Sequence, residues 1–133
     1  MKPVFEKKWH GIDLLSISDG DSGQPPNNNF YSNFYKEFFK KYHCWEDLDQ
    51  NWVDHKINTA RFLLGRIPEQ GKTLSIGCGL GIVEKFLLDS GVNNLEIQEI
   101  SKEPLHWVKS LFSEKATHVG VFPECLNSSE KFE

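Results

Sequence analysis

The sequence predicts an α/β fold in which three parallel strands follow a mainly helical segment, and three observations carry that expectation. A glycine-rich turn, LSIGCGLG at residues 74–81, joins a short apolar run to an amphipathic stretch. Two more short apolar segments follow with helical spacers between them. This βαβαβ grammar sets parallel strands in one sheet through right-handed crossovers. Upstream of the turn, aromatic residues instead repeat with a period near four.

Residues 4–17, VFEKKWHGIDLLSI, have scattered apolar positions that suit a helical turn and a short strand equally well. Residues 19–29, DGDSGQPPNNN, concentrate turn formers and predict an exposed loop. From Phe30 onward, Phe30, Tyr31, Phe34, Tyr35, Phe38, Phe39 and Tyr42 fall in two adjacent columns of a helix. That aromatic face reads as packed core, with the Tyr31 or Tyr35 hydroxyl at a pocket as the functional alternative. A second helix is expected over residues 47–67, where Leu48, Trp52, Ile57, Ala60, Leu63 and Leu64 form a looser stripe and Pro68 stops it.

The α/β part then takes over. Residues 72–76 read as a strand, residues 82–90 as a helix capped by Gly91, and residues 95–100 as a second strand. Ser101 suits the cap of a third helical element, Pro104 its first turn, and Leu105, Val108, Leu111 and Phe112 its buried side. Residues 117–122, β-branched at Thr117, Val119 and Val121, read as the third strand.

Composition narrows the function classes. A chain of 133 residues is the size of one ordinary domain, and 38% hydrophobic with 26% charged residues suits a globular protein. No apolar run approaches the roughly 18 residues of a membrane span, and the start MKPVFEKKWH lacks a signal-peptide core, so the cytoplasm is the expected compartment. Cys44, Cys78 and Cys125 lie far apart without a CxxC pair, which predicts free structural thiols and no metal site. A net charge of −4, with Lys7-Lys8 and Lys40-Lys41 as the basic pairs, offers no stripe for phosphate backbones, so nucleic acid is not an expected partner. His43-Cys44 are chain neighbours that point apart on a helix, and Asn127-Ser128-Ser129 is a glycosylation sequon without a secretory signal.

Three nucleotide- or phosphate-binding readings compete for the turn. Gly71-Lys72-Thr73 spells the end of a P-loop, but Gly65 lies one residue too far upstream and the segment precedes its strand. A dinucleotide GxGxxG turn needs a small residue at its sixth position, where this chain has Ile82. The third reading, strand–GxGxG–helix, fits. Gly77 and Gly79 let the backbone turn tightly and approach a ligand, and a helix starting near Ile82 presents unpaired N–H groups. Glu99 lies 18 positions beyond Gly81, at the carboxyl end of the next strand. It is placed to accept from two ribose hydroxyls, with a solvated strand end as the alternative.

At these residues the chain resembles a known family. LSIGCGLG is similar to the first motif of the class I S-adenosylmethionine-dependent methyltransferases, an acidic residue, any residue, then GCGxG, and LEIQEIS resembles their second strand ending in an acid. The resemblance covers about residues 71–133. It implies a partial Rossmann-like methyltransferase fold, S-adenosylmethionine as cofactor, and transfer of a methyl group to an oxygen, nitrogen, sulfur or carbon acceptor, largely by positioning. Cofactor contacts then fall on Ser75, Gly77, Cys78, Gly79, Gly81 and Glu99, with Ile100 beside the adenine and Glu124 near its amino group. Ser75 departs from the pattern, because the family often has there an acid that contributes to the ammonium site.

The resemblance also implies a seven-stranded sheet, of which this chain carries three strands, with Phe132-Glu133 resembling the opening of a fourth. On that reading the catalytic residues and the methyl acceptor lie outside the sequence. Residues 1–70 become a candidate lid, and the first strand becomes a sheet edge seeking a second copy or a C-terminal partner. A non-catalytic S-adenosylmethionine-binding module, or half of a split enzyme, is the alternative, and a nicotinamide-dinucleotide site is a third.

Overall fold

A computed structural model describes residues 7–17 and 27–126 of the chain. The expected loop at residues 19–29 falls mostly outside these residues, and the sequon and Phe132-Glu133 lie wholly outside them. The chain forms two compact units, Met1–His43 and Cys44–Glu133.

In the first unit, the undecided segment is a hairpin followed by one helical turn. Strands β1 (Lys8–Trp9) and β2 (Ile12–Asp13) pair antiparallel, and the two residues between them, His10 and Gly11, both have positive φ, at 49° and 76°. A two-residue turn of that hand matches the twist of its strands. Helix α1 (Leu14–Ile17) follows directly, and α2 (Asn28–Lys41) starts where the Asn27 side chain accepts the Phe30 amide at 2.9 Å. The aromatic face of α2 packs on the hairpin, with Trp9 stacked 4.5 Å from Phe34 and His10 edge-on to Phe38. Phe34 and Phe38 are buried, and Lys41 and Tyr42 both donate to the His10 carbonyl.

The second unit is mixed α/β around a three-stranded parallel sheet. A 3₁₀ turn (Trp45–Asp47) leads into α3 (Gln50–Leu64), capped by the Asp49 side chain, which accepts the Trp52 amide. Strand β3 (Thr73–Ile76), helix α4 (Ile82–Asp89), strand β4 (Leu95–Glu99) and strand β5 (Thr117–Val119) follow. The strand order is β3-β4-β5, all parallel, with Ser75 beside Ile97 and Gln98 beside His118. Helix α3 packs on α4 and so belongs with the sheet in this unit.

The second crossover differs from the sequence expectation. Between β4 and β5 the chain makes three 3₁₀ turns, at Glu103–His106, Lys109–Leu111 and Glu114–Ala116, in place of an α-helix. Leu105 and Val108 are buried and Phe112 packs against them, whereas Leu111, expected on the buried side, is exposed. Ser101 does not cap this segment: its hydroxyl is buried with no hydrogen-bond partner among the described residues, and Lys102 stands at the start of the first turn. The third strand is also shorter than expected and stops at Val119, because Gly120 turns away at φ +133°.

The two faces of the sheet differ in chemistry. Leu95 and Ile97 point to one face, where Leu95 joins Ala60 and Leu87, and Ile97 joins Leu105 and Val108. On the other face Glu96 receives His118 Nε2 at 2.7 Å and Lys72 Nζ at 3.3 Å. Both crossovers thus bury one apolar face, while the other face is held by polar bridges between strands.

Candidate functional site

The turn after β3 passes through Gly77, Gly79 and Gly81 at φ +67°, +57° and +74°. Side chains with a Cβ avoid this region, so three such residues in five explain the spacing of the motif. Gly77 and Gly81 differ in a second respect. A Cβ on Gly77 would meet nothing within 4 Å, whereas one on Gly81 would lie 2.4 Å from Val108 Cγ2. Gly77 therefore keeps open space above the turn, and Gly81 lets α4 start against the second crossover.

Backbone amides lock the turn onto the end of β4. Gly77 N donates to the Gln98 carbonyl at 2.9 Å and to Gln98 Oε1 at 3.0 Å, and Cys78 N donates to the same carbonyl at 3.1 Å. Gly79 N donates to Glu99 Oε2 at 2.9 Å, while Ile100 N donates to Glu99 Oε1 at 2.7 Å. Gln98 Nε2 continues to the Gly120 carbonyl at 2.7 Å, and Gly120 N returns to the Glu99 carbonyl at 3.0 Å. One network thus joins the glycine turn to the carboxyl ends of β4 and β5. Trp45 holds the far side, its Nε1 donating to the Leu80 carbonyl at 3.2 Å.

Electrostatically the turn is acidic. Ser75 Oγ donates to Glu84 Oε1, and Glu84, in the first turn of α4, is only 4% exposed. Burial pushes the Glu84 carboxyl above its ordinary value, with the Ser75 hydrogen bond opposing. Burial also pushes the Cys78 thiol far up, and the charges of Glu84 and Glu99 push the same way. Cys78 is therefore a protonated packing group beside Ile97, Leu105 and Val108. Cys44, Cys78 and Cys125 are all free thiols.

The structure brings Ser75, Gly77, Cys78, Gly79, Gly81, Glu99 and Ile100 together around one turn. Glu124 is exposed on the turn beyond β5. There the hydrogen bonds are Cys125 N to Val121 O and Leu126 N to Pro123 O, and neither reaches the glycine turn. Four further residues shape the site. Val108 sets the need for glycine at position 81, Gln98 bridges two strand ends, Trp45 pins Leu80, and Glu84 takes the Ser75 hydroxyl. Glu84 carried one signal in the sequence, as an acid among the apolar residues of IVEKFLLD.

Helix α4 has no side-chain cap, since Gly81 stands at its N-terminus, so its first amides are left for water or a ligand. Two hollows lie elsewhere. One of about 220 Å³ is lined by Leu64, Thr73 and Asn94 at the opposite end of the strands, and one of about 250 Å³ lies beside Trp45, Val53 and Phe86. Among the described residues no three His, Cys, Asp or Glu side chains are grouped to hold a metal, and no helix is long and apolar enough to cross a membrane. Comparison with protein-family models, with curated proteins and with solved structures finds no significant match.

Proposed function

We propose that the second unit binds S-adenosylmethionine at the glycine turn, in the manner of the cofactor half of a Rossmann-like class I methyltransferase. The observation that carries this reading is the turn itself. Three positive-φ glycines, open space over Gly77, and an uncapped helix N-terminus stand beside an acidic residue at the end of the neighbouring parallel strand. Glu99 already accepts two backbone amides, so its remaining lone pairs are oriented before a ribose arrives. Ile100 follows it, half-buried, where a base would lie.

The strand order supports the same reading, since the strand that carries the turn lies next to the strand that carries Glu99, with β5 beyond. The bulky Ile82 at the sixth position speaks against a dinucleotide. The chemistry served is methyl transfer to an acceptor, within a larger assembly or with a partner chain. A non-catalytic S-adenosylmethionine-binding module, or half of a split enzyme, uses the same turn. Calorimetry with S-adenosylhomocysteine and with NAD tests the proposal. Binding of the former, weak or absent binding of the latter, and loss of binding in Gly79→Val support it. Equal affinity in wild type and Gly79→Val removes the turn from the argument.

A further inference from the structure

The hollow of about 250 Å³ beside Trp45 is a groove between α3 and α4 that the proposed nucleoside contacts leave unused. Its two walls are helix faces. Val53 and Ile57, neighbours along α3, line it opposite Ile82 and Phe86, neighbours along α4. All four are half-buried, so each keeps apolar surface that the packing of α3 on α4 leaves uncovered. Trp45 joins them, its ring fixed by the bond from Nε1 to the Leu80 carbonyl at 3.2 Å. Covering such surface is favourable in proportion to the apolar area removed from water.

The charges around the groove do not balance. Lys85 is answered within it, since its Nζ lies 2.8 Å from Asp89 Oδ2 and 5.7 Å from the centre of the Trp45 ring. Glu46 is not. Among the described residues no lysine, arginine or histidine nitrogen forms an ion pair with it, and the Cys44 thiol that hydrogen-bonds to it carries no charge. Residues 44–54 hold Glu46, Asp47, Asp49 and Asp54 with no lysine or arginine, so the field at that side of the groove is negative. The volume lies just under the roughly 300–1,000 Å³ of drug-sized ligand pockets, which suits a small molecule. Apolar walls select a hydrocarbon body, and the carboxylate beside them selects a cation.

We propose that this groove binds a small amphipathic amine, its hydrocarbon part on Val53, Ile57, Ile82 and Phe86 and its ammonium group on Glu46. None of the residues assigned to the nucleoside lines the groove, so the two sites stand or fall separately.

Three probes with one six-carbon tail test it: n-hexylamine, n-hexanol and hexanoate, each titrated at neutral pH into the isotope-labelled full chain and followed by amide and indole N–H shifts. Saturable shifts are expected at the Trp45 indole and at Val53, Ile57, Ile82 and Phe86. Hexylamine should bind roughly 2- to 5-fold more tightly than hexanol, the range of an exposed ion pair, and hexanoate most weakly. Glu46→Gln should bring hexylamine down to the level of hexanol and leave hexanol unchanged. Val53→Trp, which fills the groove, should weaken all three. Should Val53→Trp fail to fold, the wild-type series and Glu46→Gln, at an exposed position, carry the test. Equal binding of hexylamine and hexanol, tightest binding of hexanoate, or a preference for hexylamine that survives Glu46→Gln overturns the proposal. Shifts that do not saturate, or that map away from the groove, overturn it as well.

Discussion

Glu99 Oε2 accepts the Gly79 amide at 2.9 Å, tying the end of β4 to the middle of the glycine turn. Its other oxygen takes the Ile100 amide, so both carboxylate oxygens already serve the backbone. Glu99→Gln replaces one acceptor with an NH₂ that faces an N–H. We expect a loss of about 1–2 kcal/mol in stability, because one amide loses its partner. Nucleoside affinity should fall by roughly 10- to 150-fold as the charged acceptor is lost. Urea denaturation beside calorimetry reads both. A variant of unchanged affinity but lower stability assigns Glu99 to the turn alone.

Gly77 and Gly81 make opposite demands on the same motif. Alanine at Gly81 combines positive φ with a Cβ against Val108, so about 2–4 kcal/mol of stability should be lost. Val108→Ala in that background should recover part of it, since two of the three close atoms are the Val108 methyls. Alanine at Gly77 meets open space and should cost only about 1–2 kcal/mol through its φ, while placing a methyl in the space assigned above to the proposed ligand. Reduced ligand affinity in a stable Gly77→Ala, set against lost stability in Gly81→Ala, is the expected contrast.

These two glycines also show what the sequence made legible. The motif spacing located the turn, and the alternation of apolar runs located the three parallel strands, because both signals are local in the chain. The second crossover was misjudged, since Leu105, Val108 and Phe112 keep a helical i, i+3, i+7 spacing and pack together, yet the chain there runs in 3₁₀ turns that leave Leu111 exposed. The contacts that Glu84 and Val108 make at the turn went unrecognised for another reason, although Val108 was expected on a buried side. Each matters through a contact 9 or 27 positions away, with Ser75 or Gly81, and periodicity carries no information about such contacts. The aromatic face of α2 was legible as core, but the hairpin that it packs against was hidden in an ambiguous apolar pattern.

Two buried acids should give opposite pH dependences. Burial opposes ionisation of Glu96, yet hydrogen bonds from His118 and Lys72 outweigh it and hold the carboxyl below its ordinary value. Its contribution is present above the ordinary carboxylate range and lost as pH falls through the lowered value. Glu84 is raised by burial, with Ser75 and Lys56 opposing and Glu99 adding to the shift. Its contribution is present below the ordinary range and lost as pH rises through the raised value. Glu96→Gln should therefore lose about 1–2 kcal/mol at neutral pH and show a flatter acid limb. Glu84→Gln should gain stability at neutral pH. Urea midpoints at intervals from acid to neutral pH check both signs.

Cys78 should resist alkylation. Burial and the nearby charges of Glu84 and Glu99 keep its thiol protonated, and the thiolate is the reactive form. Iodoacetamide at mildly alkaline pH, followed by peptide mass mapping, should modify Cys78 more slowly than unfolded chain by at least roughly 10-fold. Glu84→Gln should speed it by removing one of the charges. Rapid modification of native protein would show that the turn opens.

The edge of the sheet yields the last prediction. Thr73 N donates to Asn94 O and Gly77 N to Gln98 O, both toward β4. Alternation in a parallel ladder then turns the Leu74 and Ile76 amides to the other side, where no described strand pairs with them. Ile76 is 56% exposed at this edge, adding apolar surface to unpaired backbone. Edges of this kind pair with further strands, and natural sheets block them with charge. Concentration-dependent self-association is therefore expected in sedimentation velocity, and Ile76→Lys should abolish it while leaving the thermal midpoint within a few degrees, because the side chain is not core. Nucleoside binding should survive the substitution, since the amides that hold the turn face inward to Gln98 and Glu99. A wild type that stays monomeric across the concentration series would show that this edge is protected, and association unchanged by Ile76→Lys would move the contact away from β3.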